Sequence, residues 1–371
     1  MVEEIFDIVI PESVDKKERL APRVLLFVFI LFFINYYVLS NLYLVFGLEM
    51  GQFFSFLFVF LSFVYVLGAA AIRYSNNVFA KILNVLGSLW LGFCVIALFF
   101  FLVFDLLFLF NLISFEYKLI FSFYLTMIFF IYSIINALFI FNKKIVIKSD
   151  KIKSSKRIVQ ISDLHIGAAH KNNFLENIVR RINNLKPDIV FITGDLIDGK
   201  HKYIPGYFNI LKNISAPTYM VTGNHERVTG MRNVSNLLKD SGVVLLRGGK
   251  VKFDELSIIG IDDVEKPSVM LSRLSKIGVS ESDFNILLFH RPKKFKKIAK
   301  RGVDLMLSGH THGGQIFPLN FLMRLYYKRV KGFYKRGGSY FYVSSGTGWW
   351  GPPMRLGSKN EIVLFELVQG D

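Results

Sequence analysis

Four long uncharged apolar runs, at 24–46, 53–72, 82–104 and 119–141, constrain this chain before any other feature does. Each reaches the roughly 20 residues that a helix needs to cross the hydrocarbon of a bilayer. In lipid, every backbone N–H and C=O must be satisfied inside the segment, so isolated apolar spans are helices. A transmembrane region of four helices over 24–141 is therefore expected. The third run is ambiguous, because apolar residues continue past Asp105 to Ile113. It reads either as one long tilted helix or as a helix followed by an interfacial segment. Asp105 and Glu116 are expected near the outer face rather than in mid-membrane. Gly68, Gly87 and Gly92 would permit close helix packing, although ordinary span composition is the simpler expectation.

Lysine and arginine set the orientation. Lys16, Lys17, Arg19 and Arg23 precede the first span, Arg73 and Lys81 lie between the second and third, and five lysines from Lys143 to Lys153 follow the fourth. The opposite loops carry only Lys118. The expectation is a multi-pass protein of the cell membrane, with a polar cytoplasmic tail at 1–23 and everything beyond the spans also facing the cytoplasm. The first run is too long for the apolar part of a cleavable signal and is followed by three more. The stretch 142–156 is strongly basic and reads as a linker drawn to anionic headgroups or as a plain solvated connector. The one cysteine, Cys94, lies in the third span, so no disulfide forms within the chain.

Residues 157–371 change character. Short apolar runs at 158–161, 189–192, 219–221, 286–289 and 303–307 read as buried strands. Helical stretches are expected at 173–185, 234–239 and 293–300, and the alternation predicts an α/β domain. Each of the five runs ends in a polar group: Asp163 and His165; Asp195; Asn224, His225 and Glu226; His290; His310 and His312. Carboxyl ends of strands are where sites assemble in α/β sheets. Five of the seven histidines belong to these groups. Imidazole is the commonest protein metal ligand, and glycines flanking His310 and His312 let the backbone turn so that both rings reach one centre.

The ordered set Asp-x-His, Gly-Asp, Gly-Asn-His-Glu, His and Gly-His-x-His resembles the calcineurin-like metallophosphoesterase superfamily, over roughly residues 157–368. The resemblance implies a sandwich of two mixed β-sheets flanked by helices. It further implies two divalent metal ions, with Asp163, His165 and His312 holding one, Asn224, His290 and His310 the other, and Asp195 bridging both. His225 would not be a ligand; it would point at the substrate phosphate as the catalytic acid or as a stabiliser of the transition state. Two ions about 3.5 to 4 Å apart can share a hydroxide that attacks phosphorus in line. Two divalent charges against two carboxylates and one hydroxide leave a positive centre for an anionic ester. Mixed nitrogen and oxygen donors suit manganese, iron or zinc.

Further residues carry open readings. Arg227 is either a substrate contact or a surface residue. Asp198 either orients a ligand or ends a strand, and His170 and His201 read as surface histidines. The aromatic and basic stretch 316–334 is either a membrane-interface element or a partly buried loop of the site. Trp349, Trp350, Pro352, Pro353 and Arg355 are expected to rim the substrate pocket, as in the membrane-attached branch of that family. Residues 142–371 carry 38 Lys or Arg against 19 Asp or Glu, which favours an anionic partner. A lipid bilayer and a phosphorylated or lipid-linked substrate fit the spans. Nucleic acid, suggested by the basic run Arg291 to Arg301, fits them less well. The function expected is membrane-bound hydrolysis of a phosphodiester or pyrophosphate bond, of a lipid or lipid precursor. The alternatives are a tethered phosphoesterase for soluble phosphoesters or nucleotides, and a non-catalytic metal-binding scaffold or sensor.

Overall fold

The computed structural model describes residues 14–75, 77–167, 173–199, 203, 206–264 and 266–370. The tail at 1–13, His170 and His201 lie outside the described residues. The chain forms two compact units.

The first unit contains helices α1 (Val14–Val45), α2 (Gln52–Tyr74), α3 (Val78–Leu109) and α4 (Phe115–Ala137). All four are long and apolar enough to cross a membrane. The third apolar run is a single helix of 32 residues, close to 48 Å at 1.5 Å per residue and so longer than the hydrocarbon is thick. Close packing, not mere composition, explains two of the glycines. A Cβ on Gly68 of α2 would lie 2.7 Å from the Asn84 Cα of α3, and one on Gly87 of α3 would lie 2.7 Å from the Val64 carbonyl oxygen of α2. Asp105 is satisfied inside this unit by the Lys118 ammonium and the Tyr37 hydroxyl. Trp90 donates its indole N–H to Asn35 Oδ1 at 2.6 Å.

Two short returns from the downstream sequence, Ile316–Met323 and Gly351–Gly357, belong to this first unit. Ile316, Met354 and Leu356 are buried in one cluster with Ile96 and Phe100 of α3. Gly92 has no Cβ where Met354 Sδ would be only 2.3 Å away. The Arg355 N–H donates to the Ser133 carbonyl at 2.8 Å, and Asn136 Nδ2 donates to the Arg355 carbonyl at 2.9 Å. Arg355 is wholly buried there. Tertiary packing on α3 and α4 takes up the apolar residues on either side of it.

The second unit is a sandwich of two mixed six-stranded sheets. Its strands are β1 (Ile140–Ser149), β2 (Lys156–Ile161), β3 (Ile189–Ile192), β4 (Thr218–Met220), β5 (Val243–Leu245), β6 (Gly249–Phe253), β7 (Leu256–Gly260), β8 (Phe284–Leu288), β9 (Leu305–Ser308), β10 (Gly332–Arg336), β11 (Ser339–Val343) and β12 (Asn360–Gln369). One sheet has the order β1-β12-β2-β3-β4-β5 and the other β10-β11-β9-β8-β7-β6. Strands β2 to β5 are mutually parallel, as are β7, β8, β9 and β11. Alternation with period two sorts the side chains. Ile189 and Phe191 of β3, with Leu305 and Leu307 of β9, fill the layer between the sheets. Val190 and Ile192 face an outer layer with α5 (Asn173–Asn184). On the opposite side, Leu287 and Met306 pack with α8 (Pro267–Ile277) and α9 (Phe295–Ala299). Between α5 and α8 the chain adds α6 (Asn224–Thr229) and α7 (Met231–Leu238).

One boundary differs from the sequence expectation. The fourth span ends at Ala137, and the basic stretch 142–156 is not a linker throughout: most of it is β1, an edge strand paired in parallel with β12. Ile145 and Ile147 point into the core while Lys144, Val146 and Lys148 stay exposed. Lysines along an edge strand also discourage pairing with a second chain.

Candidate metal centre

The five polar groups meet at one place because each follows a strand of the second unit. Asp163 and His165 follow β2, Asp195 follows β3, Asn224 and His225 open α6 after β4, His290 follows β8, and His310 and His312 follow β9. The loops are tied together by backbone bonds: the Asp163 N–H donates to the Gly194 carbonyl at 3.0 Å and the His165 N–H to the Asp195 carbonyl at 2.9 Å. Asp163, His165, Asp195, His310 and His312 all have positive φ. Non-glycine residues seldom adopt this conformation, and it collects at functional sites.

Among the described residues three groups of potential donors result, one joining His165 to Asp198 and His225 and two built from the expected ligands. Asp163, His165 and His312 offer ligand atoms within 4.8 Å of one another, and so do Asp195, His290 and His310. In the first, His165 Nε2 is 2.9 Å from His312 Nε2, and His312 Nε2 is 3.6 Å from Asp163 Oδ1. In the second, His290 Nε2 is 3.1 Å from Asp195 Oδ2 and 3.2 Å from His310 Nδ1. Asp195 Oδ2 is also 3.8 Å from His165 Nε2, so this one carboxylate faces both groups. Asn224 Oδ1 is buried with no hydrogen-bond partner, which is costly for a carbonyl oxygen unless something else satisfies it. Buried, converging imidazole, carboxylate and amide donors with an orphaned oxygen fit divalent cations.

The surroundings fix the donors. His290 Nδ1 lies 2.7 Å from the Thr193 carbonyl, so Nδ1 carries the proton and Nε2 turns inward, the usual way a metal-binding histidine is oriented. Glu226, fully buried, accepts the backbone N–H groups of Asp195, Ile197 and Gly223 at 2.9, 2.9 and 2.7 Å. It thereby binds the Asp195 loop to the turn carrying Asn224. Glu226 stood in the sequence motif without a role; a glutamate in the first turn of a helix, positioned to close a capping box, was the available signal.

Electrostatics reflect a cluster of opposed charges. Burial alone would raise the Asp195 carboxyl, but His290, His225 and His165 hold it well below its usual value. Burial would lower His290, and Asp195 outweighs it, pushing the imidazole up to about 10. His225 behaves similarly: burial is outweighed by Asp195 and Asp198, and its value rises to about 9. Glu226 goes up to about 7 through burial and the Asp195 charge, against the pull of its backbone N–H partners.

Residues 156–314 match the sequence model of calcineurin-like phosphoesterases. An uncharacterized metallophosphoesterase of Aquifex aeolicus is 32% identical over 248 residues, which take in 64% of this chain and 95% of that protein. The chain belongs to the calcineurin-like metallophosphoesterases. An uncharacterized metallophosphoesterase of Campylobacter jejuni is 35% identical over 61% of this chain. A transmembrane protein with metallophosphoesterase domain from Bos taurus is 36% identical over 58% of it. The chain spans about three fifths of the length of the Campylobacter and Helicobacter relatives, 62% and 61%.

Among the family positions, the structure brings Asp163, His165, Asp195, His290, His310 and His312 into donor contact and seats Asn224 and His225 on the adjoining turn. His225 donates its backbone N–H to Asp195 Oδ1 at 3.0 Å, and its Nδ1 lies 3.1 Å from Asp198 Oδ1. Asp198 thus sits closest to His225, which is not one of the expected ligands, and its Oδ1 is 3.8 Å from Nδ1 of the expected ligand His165. Arg227 is half-buried one turn along α6. The stretch 316–334 divides: α10 (Leu319–Tyr326) exposes Phe321, Leu322 and Leu325, whereas Tyr327 is buried with its ring 5.6 Å from that of His310. Arg291 is buried as well, paired with Asp263 at 2.8 Å, and is not part of an open basic patch.

Proposed function

We propose that this chain is a membrane-anchored, metal-dependent phosphoric ester hydrolase that cleaves a phosphodiester or pyrophosphate bond of a lipid or lipid precursor at the cytoplasmic face. The observation that carries the reading is the convergence of six donor residues from four strand-end loops, with the orphaned Asn224 oxygen and His225 on the adjoining turn of a fifth. Asp163, His165 and His312 would hold one divalent ion and Asn224, His290 and His310 a second, with Asp195 between. Manganese, iron or zinc suits these donors. Bound there, such ions supply Lewis-acid charge and an activated water.

The protein's own residues supply the rest. Asp198 Oδ1 lies 3.1 Å from Nδ1 of His225, so Nε2 would face the ester, where a raised proton affinity keeps a proton available for the leaving oxygen. Glu226 and Thr193 keep the donors from relaxing outward. A lipid-borne substrate is supported by the four spans and by the excess of 38 basic over 19 acidic residues in 142–371, which favours anionic surfaces. Positive residues flanking the spans support the cytoplasmic orientation.

The test uses the full chain in detergent, stripped of metal and refilled with manganese, iron or zinc, with bis-p-nitrophenyl phosphate as substrate. Metal-dependent turnover that Asp195→Ala and His225→Ala abolish is expected, followed by faster cleavage of a lipid-linked pyrophosphate than of soluble nucleotide diesters. A folded, metal-loaded chain without turnover would overturn the enzymatic reading in favour of a metal-binding scaffold. Preference for the soluble esters would overturn the lipid assignment alone.

A further inference from the structure

The segment 347–350 is strung between two loops of the metal centre. On one side the Thr347 N–H donates to the Ser162 carbonyl at 2.7 Å and the Gly348 N–H to the Asp163 carbonyl at 3.0 Å. The approach is so close that a Cβ on Gly348 would lie 2.3 Å from the Leu164 carbonyl oxygen. On the other side, both polar atoms of the Gln315 side chain are used on one residue. Gln315 Nε2 donates to the Trp350 carbonyl at 2.8 Å, and Gln315 Oε1 accepts the Trp350 N–H at 3.1 Å. Gln315 is itself fixed, with its N–H on the His312 carbonyl at 3.1 Å and φ at +43°. This clamp places the Trp350 indole against His225, with ring centroids 6.0 Å apart and planes at 71°. Trp349 packs beside it on Phe174 at 5.9 Å.

We propose that Trp350, positioned by Gln315, is the wall of the leaving-group subsite and selects esters whose leaving group presents a flat aromatic face. The inference rests on the hydrolase reading above and places any lipid on the non-leaving side of the phosphorus. His225 faces the leaving oxygen there, so whatever departs must pass the group packed on His225. That group is an uncharged aromatic ring. A ring on the leaving group gains an offset or edge-on contact with the indole, whereas a compact hydrophilic alcohol or inorganic phosphate gains nothing from it. Gln315 is a positioning residue: removing its amide frees the backbone of Trp350 without touching the donors of the metal centre.

The test compares two diesters whose leaving groups match in acidity, one aryl and one fluorinated alkyl, and in parallel the binding of phenylphosphonate and methylphosphonate by calorimetry. All measurements use the metal-loaded full chain in detergent. Wild type is expected to favour the aryl ester in kcat/KM and phenylphosphonate in affinity, each by about three- to tenfold, the range of an aromatic pair. Trp350→Ala should bring both ratios close to one, with the loss in kcat/KM falling more heavily on the aryl ester than on the alkyl ester. Trp350→Phe should keep most of the preference, and Gln315→Ala should lose part of it. A Trp350→Ala variant that retains the wild-type ratios, or loses both esters equally, overturns the proposal. Phenylphosphonate preference without turnover of either ester would leave the aromatic subsite standing and remove the hydrolase reading.

Discussion

Gly223→Ala should disable the metal centre although alanine is acceptable to the backbone there, since φ is −99° and ψ −170°. A Cβ at this position would lie 2.1 Å from Asp195 Oδ1, 2.7 Å from Asp195 Cγ and 2.7 Å from the Asp195 backbone nitrogen. A carbon and an oxygen do not pack closer than about 3.2 Å, so Oδ1 must retreat by roughly 1.1 Å, about twice the tolerance of a functional constellation. Side-chain rotation does not relieve the contact with the backbone nitrogen, which Glu226 holds at 2.9 Å. Asp195 faces both donor groups, so both are disturbed. A misplacement of about 1 Å near reacting groups costs on the order of a hundredfold in rate, and the overpacking itself about 1 to 3 kcal/mol of stability. The assay is metal content by mass spectrometry together with kcat on bis-p-nitrophenyl phosphate. Gly51→Ala is the control, because no atom lies within 4 Å of its added Cβ. Gly223→Ala with full metal content and kcat within twofold of wild type would refute the reasoning.

Gly309→Ala should act similarly through Asp163, whose Oδ2 would be 2.1 Å from the new Cβ, and metal content again checks it. Glu226→Ala strands three backbone N–H groups in a buried site and should cost about 3 to 5 kcal/mol, read as a lower midpoint of thermal unfolding in detergent even without metal. Gly87→Ala must push α2 from α3 against a backbone contact of 2.7 Å and should destabilise the helices by about 1 to 3 kcal/mol; slower cross-linking between cysteines introduced on the two helices would register the separation. His290, raised to about 10, is protonated at pH 7 in the metal-free protein, whereas a ligand imidazole must be neutral. Metal binding should therefore release a proton at neutral pH and strengthen as pH rises toward 10, measured by calorimetry in buffers of different ionisation enthalpy.

The donor loops were legible because a short apolar strand followed by a polar group is a local pattern, and five such patterns carried the same kind of chemistry. The spans were legible from length and composition, since lipid leaves the backbone a single solution. Other features depend on tertiary contacts that no window of sequence contains. Around β1, the seven basic residues from Lys143 to Arg157 masked the strand behind their charge, although Ile145 and Ile147 give it one buried face. The apolar residues Ile316, Met354 and Leu356 gave no sign of packing with α3, because their partners lie more than 200 positions earlier. Gln315 and Trp350 are 35 residues apart, and only the folded loops bring the amide onto that backbone.

The placement of strain explains why the centre is built from strand-end loops. Each parallel strand delivers its last residue at a defined height, but the donors of neighbouring strands would otherwise point away from one another in extended backbone. The left-handed turn at Asp163, His165, Asp195, His310 and His312 redirects each chain inward within one residue, at a cost of order 1 to 3 kcal/mol apiece. Buried carboxylates beside buried imidazoles add a further cost of desolvation. The sheets absorb both, because strands β3, β8 and β9 are wholly buried, as is β2 from Ile158 onward, and they cannot yield without opening the core. The same rigidity fixes Asp195 between two donor groups instead of letting it collapse onto one. A sandwich of this kind is thus a frame that keeps mutually unfavourable groups facing each other, which is the state a pair of cations would find prepared.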